Sequence, residues 1–247
     1  MVQTPCSTLG IRGVVSDERL RELERRWKET GSVEDEAAFL LERVRVGELT
    51  QERLELAAYC GHPASQAAVG EAGLRRQAAA LRDVQPWLKQ DASQFFGMCT
   101  GPVETEWKRR LADAEWIYGL GLWGKAVAVR ASLLITAQLP LAAPAAREAV
   151  RAAEAWLESP DSSSTDLAQR QSETAMLESS RCGESQTELL CAHYAALAAA
   201  KEEVERVVAA ANRCAYLAAT RALSPERVTK AIKDGLVNWS LGSSTKA

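Results

Sequence analysis

The sequence has no surplus of basic residues: 30 Lys and Arg stand against 33 Asp and Glu, a formal charge of −3. Binding a nucleic acid through its phosphates demands a clear excess of positive charge, so no nucleic-acid partner is expected. Long apolar runs are missing as well. The most hydrophobic stretch, 126–146, is interrupted by Arg130, Gln138, Pro140 and Pro144, and falls short of the roughly 18 to 20 continuous apolar residues a spanning helix needs. Met1 to Val15 shows no basic start followed by an apolar stretch, and Cys6 follows Gln3-Thr4-Pro5 rather than a lipoprotein signal, so neither export nor a membrane partner is expected and the predicted location is the cytoplasm. The phosphate-loop, dinucleotide-fingerprint and His-Glu-x-x-His patterns are absent. Strand signals are also lacking, since Val and Ile recur at helical spacing and no Asn-Gly or Asp-Gly pair sits between alternating segments.

What is present is the composition of an ordinary globular chain, 47% hydrophobic and 26% charged. Its 247 residues suffice for one large domain or two small ones, burying roughly 70–75% of the unfolded surface without help from a metal or disulfide. The six cysteines, Cys6, Cys60, Cys99, Cys182, Cys191 and Cys214, are scattered rather than framed, and are read as reduced thiols.

Along the chain, residues 1–15 form a predicted flexible lead-in without periodicity. Leu20, Leu23 and Trp27 then recur at helical spacing up to Gly31. Ser32 restarts the chain as the cap of a Ser-x-x-Asp arrangement with Asp35, and a third helix runs from Thr50 to Gly61. Connections this short force neighbouring helices to pack antiparallel. The starts at Ser16, Thr50 and Ser224 share one pattern, a hydroxyl residue, acidic or proline residues in the first turn and apolar residues on either side. The first two lie 34 residues apart, a helix-hairpin repeat spacing, although the tetratricopeptide pattern is missing. Helical pieces over 63–70 and 71–83 complete an N-terminal part, 16–83; residues 84–102, with Pro86, Gly97, Gly101 and Pro102, are predicted to be an irregular connection. The C-terminal part, 103–247, is rich in alanine, with helices predicted over 103–118, 123–138, 144–158, 165–180, 186–222 and 225–239. The long 186–222 segment is expected to be amphipathic with a bend near Asn212, and 159–164 to be a loop. The fold expected is all-α, an antiparallel helical bundle or a short array of helical hairpins with room for two lobes.

Two Cys-x-His pairs, Cys60 with His62 and Cys191 with His193, account for both histidines. A tetrahedral zinc site from all four can be drawn, but positions i and i+2 diverge by about 200° on a helix, so packed thiols beside helix-end histidines are expected instead, with no metal or cofactor. A Cys–His nucleophile pair finds no oxyanion-type turn beside it, and no catalytic residues are assigned. Charges fall at three- and four-residue spacing, as in Glu22-Arg25-Arg26 and Glu42-Arg45, the pattern of solvated ion pairs. The Trp107-Lys108-Arg109-Arg110 cluster is cancelled by Glu104, Glu106, Asp113 and Glu115. Seven tryptophans stand out. Trp27 and Trp156 fall on apolar stripes and are expected in the core, whereas Trp87, Trp107 and Trp123 are the candidates for a partner surface.

The run from Glu18 through Leu20, Leu23 and Trp27, and that from Gly47 through Glu52-Arg53-Leu54 to Gly61-His62-Pro63-Ala64, resemble an N-terminal helical segment of bacterial proteins. The run from Ala145-Ala146-Arg147 to Trp156, with the closing Trp239-Ser240-Leu241-Gly242, is similar to alanine-rich immunity protein families of bacterial polymorphic toxin systems. That resemblance implies a cytoplasmic, non-enzymatic, protein-binding protein, an inhibitor that binds and neutralises one cognate toxin. The alternative reading is a helical scaffold or adaptor that assembles several partners or forms a homo-oligomer. A compact one-to-one complex distinguishes the first from the second.

Overall fold

A computed structural model describes residues 11–96, 115–183 and 185–242, the side chains of 11–17 and 83–96 excepted. The chain is all-α, and no strand occurs among the described residues. It divides into two compact units, Met1–Gln77 with Val237–Ala247, and Ala78–Leu236.

The first unit is built from α1 (Ile11–Thr30), α2 (Val33–Val46), α3 (Gln51–Tyr59), the start of α4 (Pro63–Phe96) and the end of α10 (Pro225–Leu241). Ser32 caps α2 by accepting from the Asp35 amide, and Thr50 caps α3 by accepting from the Arg53 amide, as their spacing predicts. Gly47 ends α2 at φ 84°, a left-handed turn that glycine adopts without steric cost. Arg19 pairs with Glu42 at 3.6 Å and Arg26 with Asp35 at 2.7 Å, so rising numbers on α1 meet falling numbers on α2 and the two are antiparallel. Beneath them Leu40, Leu49, Leu54, Ala57 and Leu241 form one buried cluster.

The second unit holds a helical piece at 115–119, a 3-10 turn (Leu120–Trp123), α5 (Lys125–Thr136), α6 (Pro144–Glu158), α7 (Ser162–Ser179), α8 (Gln186–Ala200), α9 (Val204–Arg221) and most of α10. The α8 helix is its centre, packed against α5, α6, α7 and α9. Apolar residues surround that helix on every side, and a helix apolar all round is a buried one. Ala145, Ala146, Ala149, Ala175, Ala192 and Ala196 meet around Leu189, and such small side chains let helix axes approach to about 8 Å.

Several expectations are corrected. The α1 helix begins at Ile11, not Ser16: a capping residue marks where a helix can start, and nothing in Ile11 to Val15 prevents an earlier start; the rest of the predicted lead-in, 1–10, lies outside the described residues. Residues 84–96 are helical rather than irregular. Proline removes one hydrogen bond, but strong helix formers on either side, here Ala78 to Leu81 and Leu88 to Gln90, let the helix continue past it. The rest of the predicted connection, 97–102, lies outside the described residues. The 186–222 segment is two helices, broken at 201–203, where Lys201 turns to extended backbone at φ −83° and ψ 144°. Its halves fold back on each other: Cys191 and Cys214 each point their Sγ at the other's carbonyl, at 3.7 and 3.5 Å, and Arg221 reaches Gln186. An alanine-rich run reads as continuous helix because helix propensity is blind to this pairing. The 159–164 loop is shorter than expected, because Asp161 and Ser164 form a capping box that starts α7 at Ser162. The closing residues from Val237 join the first unit through Val237 and Leu241, an arrangement that the linear layout of 16–83 and 103–247 does not anticipate.

Candidate functional site

The surfaces of α1 and α2 do not close completely on one another, and an open groove of about 670 Å³ runs along them. Leu20, Glu24 and Trp27 reach it from α1 at i, i+4 and i+7, so one face of that helix forms one wall. Glu36, Phe39, Leu40 and Arg43 form the other. Phe39 and Leu40 are buried, and the half-buried Trp27 stacks on Phe39 with centroids 5.3 Å apart and planes 17° apart. The Arg43 guanidinium lies 5.8 Å over the Phe39 ring, donates to the Leu241 carbonyl at 2.8 Å and faces Glu48 at 3.7 Å. It thereby ties the end of α10 to this end of the groove. Glu24 holds Lys28 at 2.6 Å. The lining carries three carboxylates, Glu24, Glu36 and Glu48, against two guanidiniums, Arg21 and Arg43.

Glu36 also faces the Nε2 of His62 at 3.5 Å, while His62 Nδ1 lies 2.9 Å from Ser65 Oγ. The line Glu36, His62, Ser65 has the order of a hydrolytic triad, but its hydrogen bonds give it another role. The Ser65 backbone N–H donates to His62 Nδ1, so this nitrogen is an acceptor and the ring caps the N-terminus of α4. Ser65 is completely buried and presents no nucleophile to a substrate. Burial pushes the His62 ring below its ordinary range, and the Glu36 carboxylate partly offsets this.

In the second unit His193 takes the opposite tautomer. Its Nδ1 lies 2.9 Å from the Ser172 carbonyl, which can only accept, so Nδ1 carries the proton. The Ser172 hydroxyl sits 2.9 Å from that same nitrogen and finds no base there. Burial lowers the ring's pKa against the pull of the Ser172 carbonyl, and Lys201 and Arg213 lower it further. Cys191 and Cys214 are fully buried, and hydrogen bonding to Cys191 together with burial raises the Cys214 thiol. Buried thiols of this kind are poor nucleophiles. Lys125 places its ammonium 4.1 Å over the Trp156 ring, and burial lowers its pKa against Glu202.

Of the residues singled out in the sequence, Cys60 and His62 belong to the first unit and Cys191 and His193 to the second. No group of three or more His, Cys, Asp or Glu that could hold a metal occurs among the described residues. Trp123 ends the 3-10 turn, half-buried. Trp87 lies on the part of α4 whose side chains are not described, and Trp107, with the basic cluster beside it, lies outside the described residues. Trp156 is core, 8% exposed. Trp27, expected in the core, is instead a groove wall. Phe39 is legible only as part of the apolar stripe with Leu40, Val44 and Val46, and Arg43 not at all: their i, i+4 spacing allows the ring and guanidinium to meet, but the return of Leu241 to the groove's end has no local signal. Among the described residues no helix is long and apolar enough to cross a membrane. The chain matches no known family, no characterised protein and no solved structure.

Proposed function

We propose that the chain is a non-enzymatic protein-binding protein of the immunity type, which holds one cognate bacterial toxin in the cytoplasm and covers its active site. The groove between α1 and α2 carries this reading. It is open along its length, with a stacked Trp27 and Phe39 as its apolar body and arginine and glutamate at its edges. Tryptophan and arginine dominate the energetic centres of protein interfaces, and a groove along two helices suits a polypeptide segment better than an enclosed small molecule. The sequence resemblance of Ala145 to Trp156 and of Trp239 to Gly242 to immunity families points the same way.

The test is co-expression with the toxin candidate encoded beside it, read as survival, with sizing of the purified pair. Survival together with a one-to-one complex is the expected result. Death of the cells despite expression of the folded chain overturns the proposal, and a chain that elutes with several partners or only with itself favours the scaffold reading.

A further inference from the structure

We infer that the groove takes a basic stretch of the partner polypeptide, one that presents an arginine beside an apolar side chain. The inference rests on reading the groove as the partner surface, and goes beyond it by fixing the chemistry of the occupant.

The charges of the lining are unequal in number and in freedom. Arg43 is engaged by the Leu241 carbonyl and Glu48, and its guanidinium is fixed over Phe39, so it is held as part of the wall. Glu36, by contrast, faces a histidine whose Nδ1 accepts from Ser65 and which is therefore neutral, at the long distance of 3.5 Å. Among the described residues Glu36 thus has no Lys or Arg as an ion-pair partner, and Arg21, the lining's other cation, stands on the α1 wall beside Glu24. Glu24, on the opposite wall, holds Lys28 through one carboxylate oxygen and keeps a second. Trp27 lines the same groove, with one ring face on Phe39 and the residue only half-buried. An indole is the strongest cation–π partner among side chains, and guanidinium both stacks on aromatic faces and pairs with carboxylates. An arginine entering here meets ring and carboxylates together, while its apolar neighbour reaches Leu20. An acidic segment in the same place meets Glu24 and Glu36 and is repelled.

The probes are two dye-labelled helical peptides of Ala and Leu, one with arginines along a flank and one with glutamates there, titrated against the full chain by fluorescence anisotropy. The expected result is that the arginine peptide binds, the glutamate peptide does not, and Glu36→Gln weakens the arginine peptide by about tenfold, the scale of one charge-assisted contact. Met176→Gln, on an exposed position of α7 in the other unit, leaves binding unchanged. Equal binding of both peptides, binding of neither, or an arginine peptide indifferent to Glu36→Gln overturns the inference. The survival assay reads the broader proposal separately: protection without peptide binding removes the basic occupant and leaves the inhibitor, whereas peptide binding without protection does the reverse.

Discussion

Two buried clusters, one in each unit, are packed by different means. In a buried cluster of the first unit four of seven residues are leucine, whereas in the second unit's cluster around Leu189 six of seven are alanine, although Tyr118, Ile135, Ile232 and Leu236 are also buried in that unit. Large side chains hold helix axes apart, towards 10 Å, and small ones let them come to about 8 Å. The first unit adds ion pairs across α1 and α2, through Arg19 with Glu42 and Arg26 with Asp35. The second joins its helices at the centre through small polar groups, with Cys214 reaching the carbonyls of both Cys191 and Ser132. Helices held apart by leucine and phenylalanine leave space at the surface where their side chains end. The groove lies in the first unit, along α1 and α2.

This contrast is sharpest under substitutions of opposite sense. Leu54, fully buried in the first unit, should cost that unit about 2–5 kcal/mol when truncated to Ala, by lost burial and the cavity left behind. In the second unit the sensitive change is enlargement: Ala196→Leu, at a fully buried position on α8, should cost about 1–3 kcal/mol by forcing α8 off its neighbours. Hydrogen exchange, resolved by unit, checks both. A tolerant Ala196→Leu variant would break the comparison.

A smaller pair of effects separates how each unit makes a tight turn. The first uses Gly47, at φ 84°. The second places Leu141 at φ 48° and holds the turn with Glu188, whose carboxylate accepts from the Ala142 and Ala143 amides at 2.7 and 3.2 Å. Ala143 precedes Pro144 with no cap of its own, and a carboxylate from α8 holds the turn that leads into α6. Glu188 is 5% exposed, and Glu188→Ala should cost about 1.5–3 kcal/mol, with Glu188→Gln losing less because one acceptor remains. Gly47→Ala should cost about 1 kcal/mol through strain at a left-handed position. Urea midpoints order the three.

The same contrast explains what was legible in the sequence. Caps written in neighbouring residues, Ser32 with Asp35 and Thr50 with Arg53, were readable because donor and acceptor lie three positions apart. So was the break at Gly70, which interrupts α4 with φ 69° and ψ 172°. The Glu188 contact was not, since its partners lie 45 and 46 positions away. Alanine hid the turn at 201–203 because its propensity is high wherever the chain is helical, and the break depends on what the two halves bury against each other. Trp27 was misplaced for a related reason. A tryptophan on a helical stripe reads as core until the opposite wall is known, and that wall is set by how α2 and the end of α10 meet it.

The smallest expected effect concerns the two histidines, one in each unit. Both have folded pKa values below the ordinary 6.5. Above pH 6.5 the ring is neutral whether the chain is folded or not, and contributes nothing to the pH dependence. As pH falls below 6.5, the unfolded chain takes up a proton that the folded one resists, so stability declines until the folded pKa is passed. The surroundings make the two unequal in sense of charge: Glu36 opposes the shift at His62, whereas Lys201 and Arg213 add to the one at His193. Acid below pH 6.5 should therefore weaken both the contact of α7 with α8 and the start of α4. Asparagine can replace His62 as an acceptor for the Ser65 amide, and His193 as a donor to the Ser172 carbonyl, without titrating. His193→Asn should flatten the acid limb of exchange protection in the second unit and leave the first unchanged, and His62→Asn should do the converse. Equal flattening by either variant in both units would show that the acid response belongs to the whole chain rather than to the two ring environments.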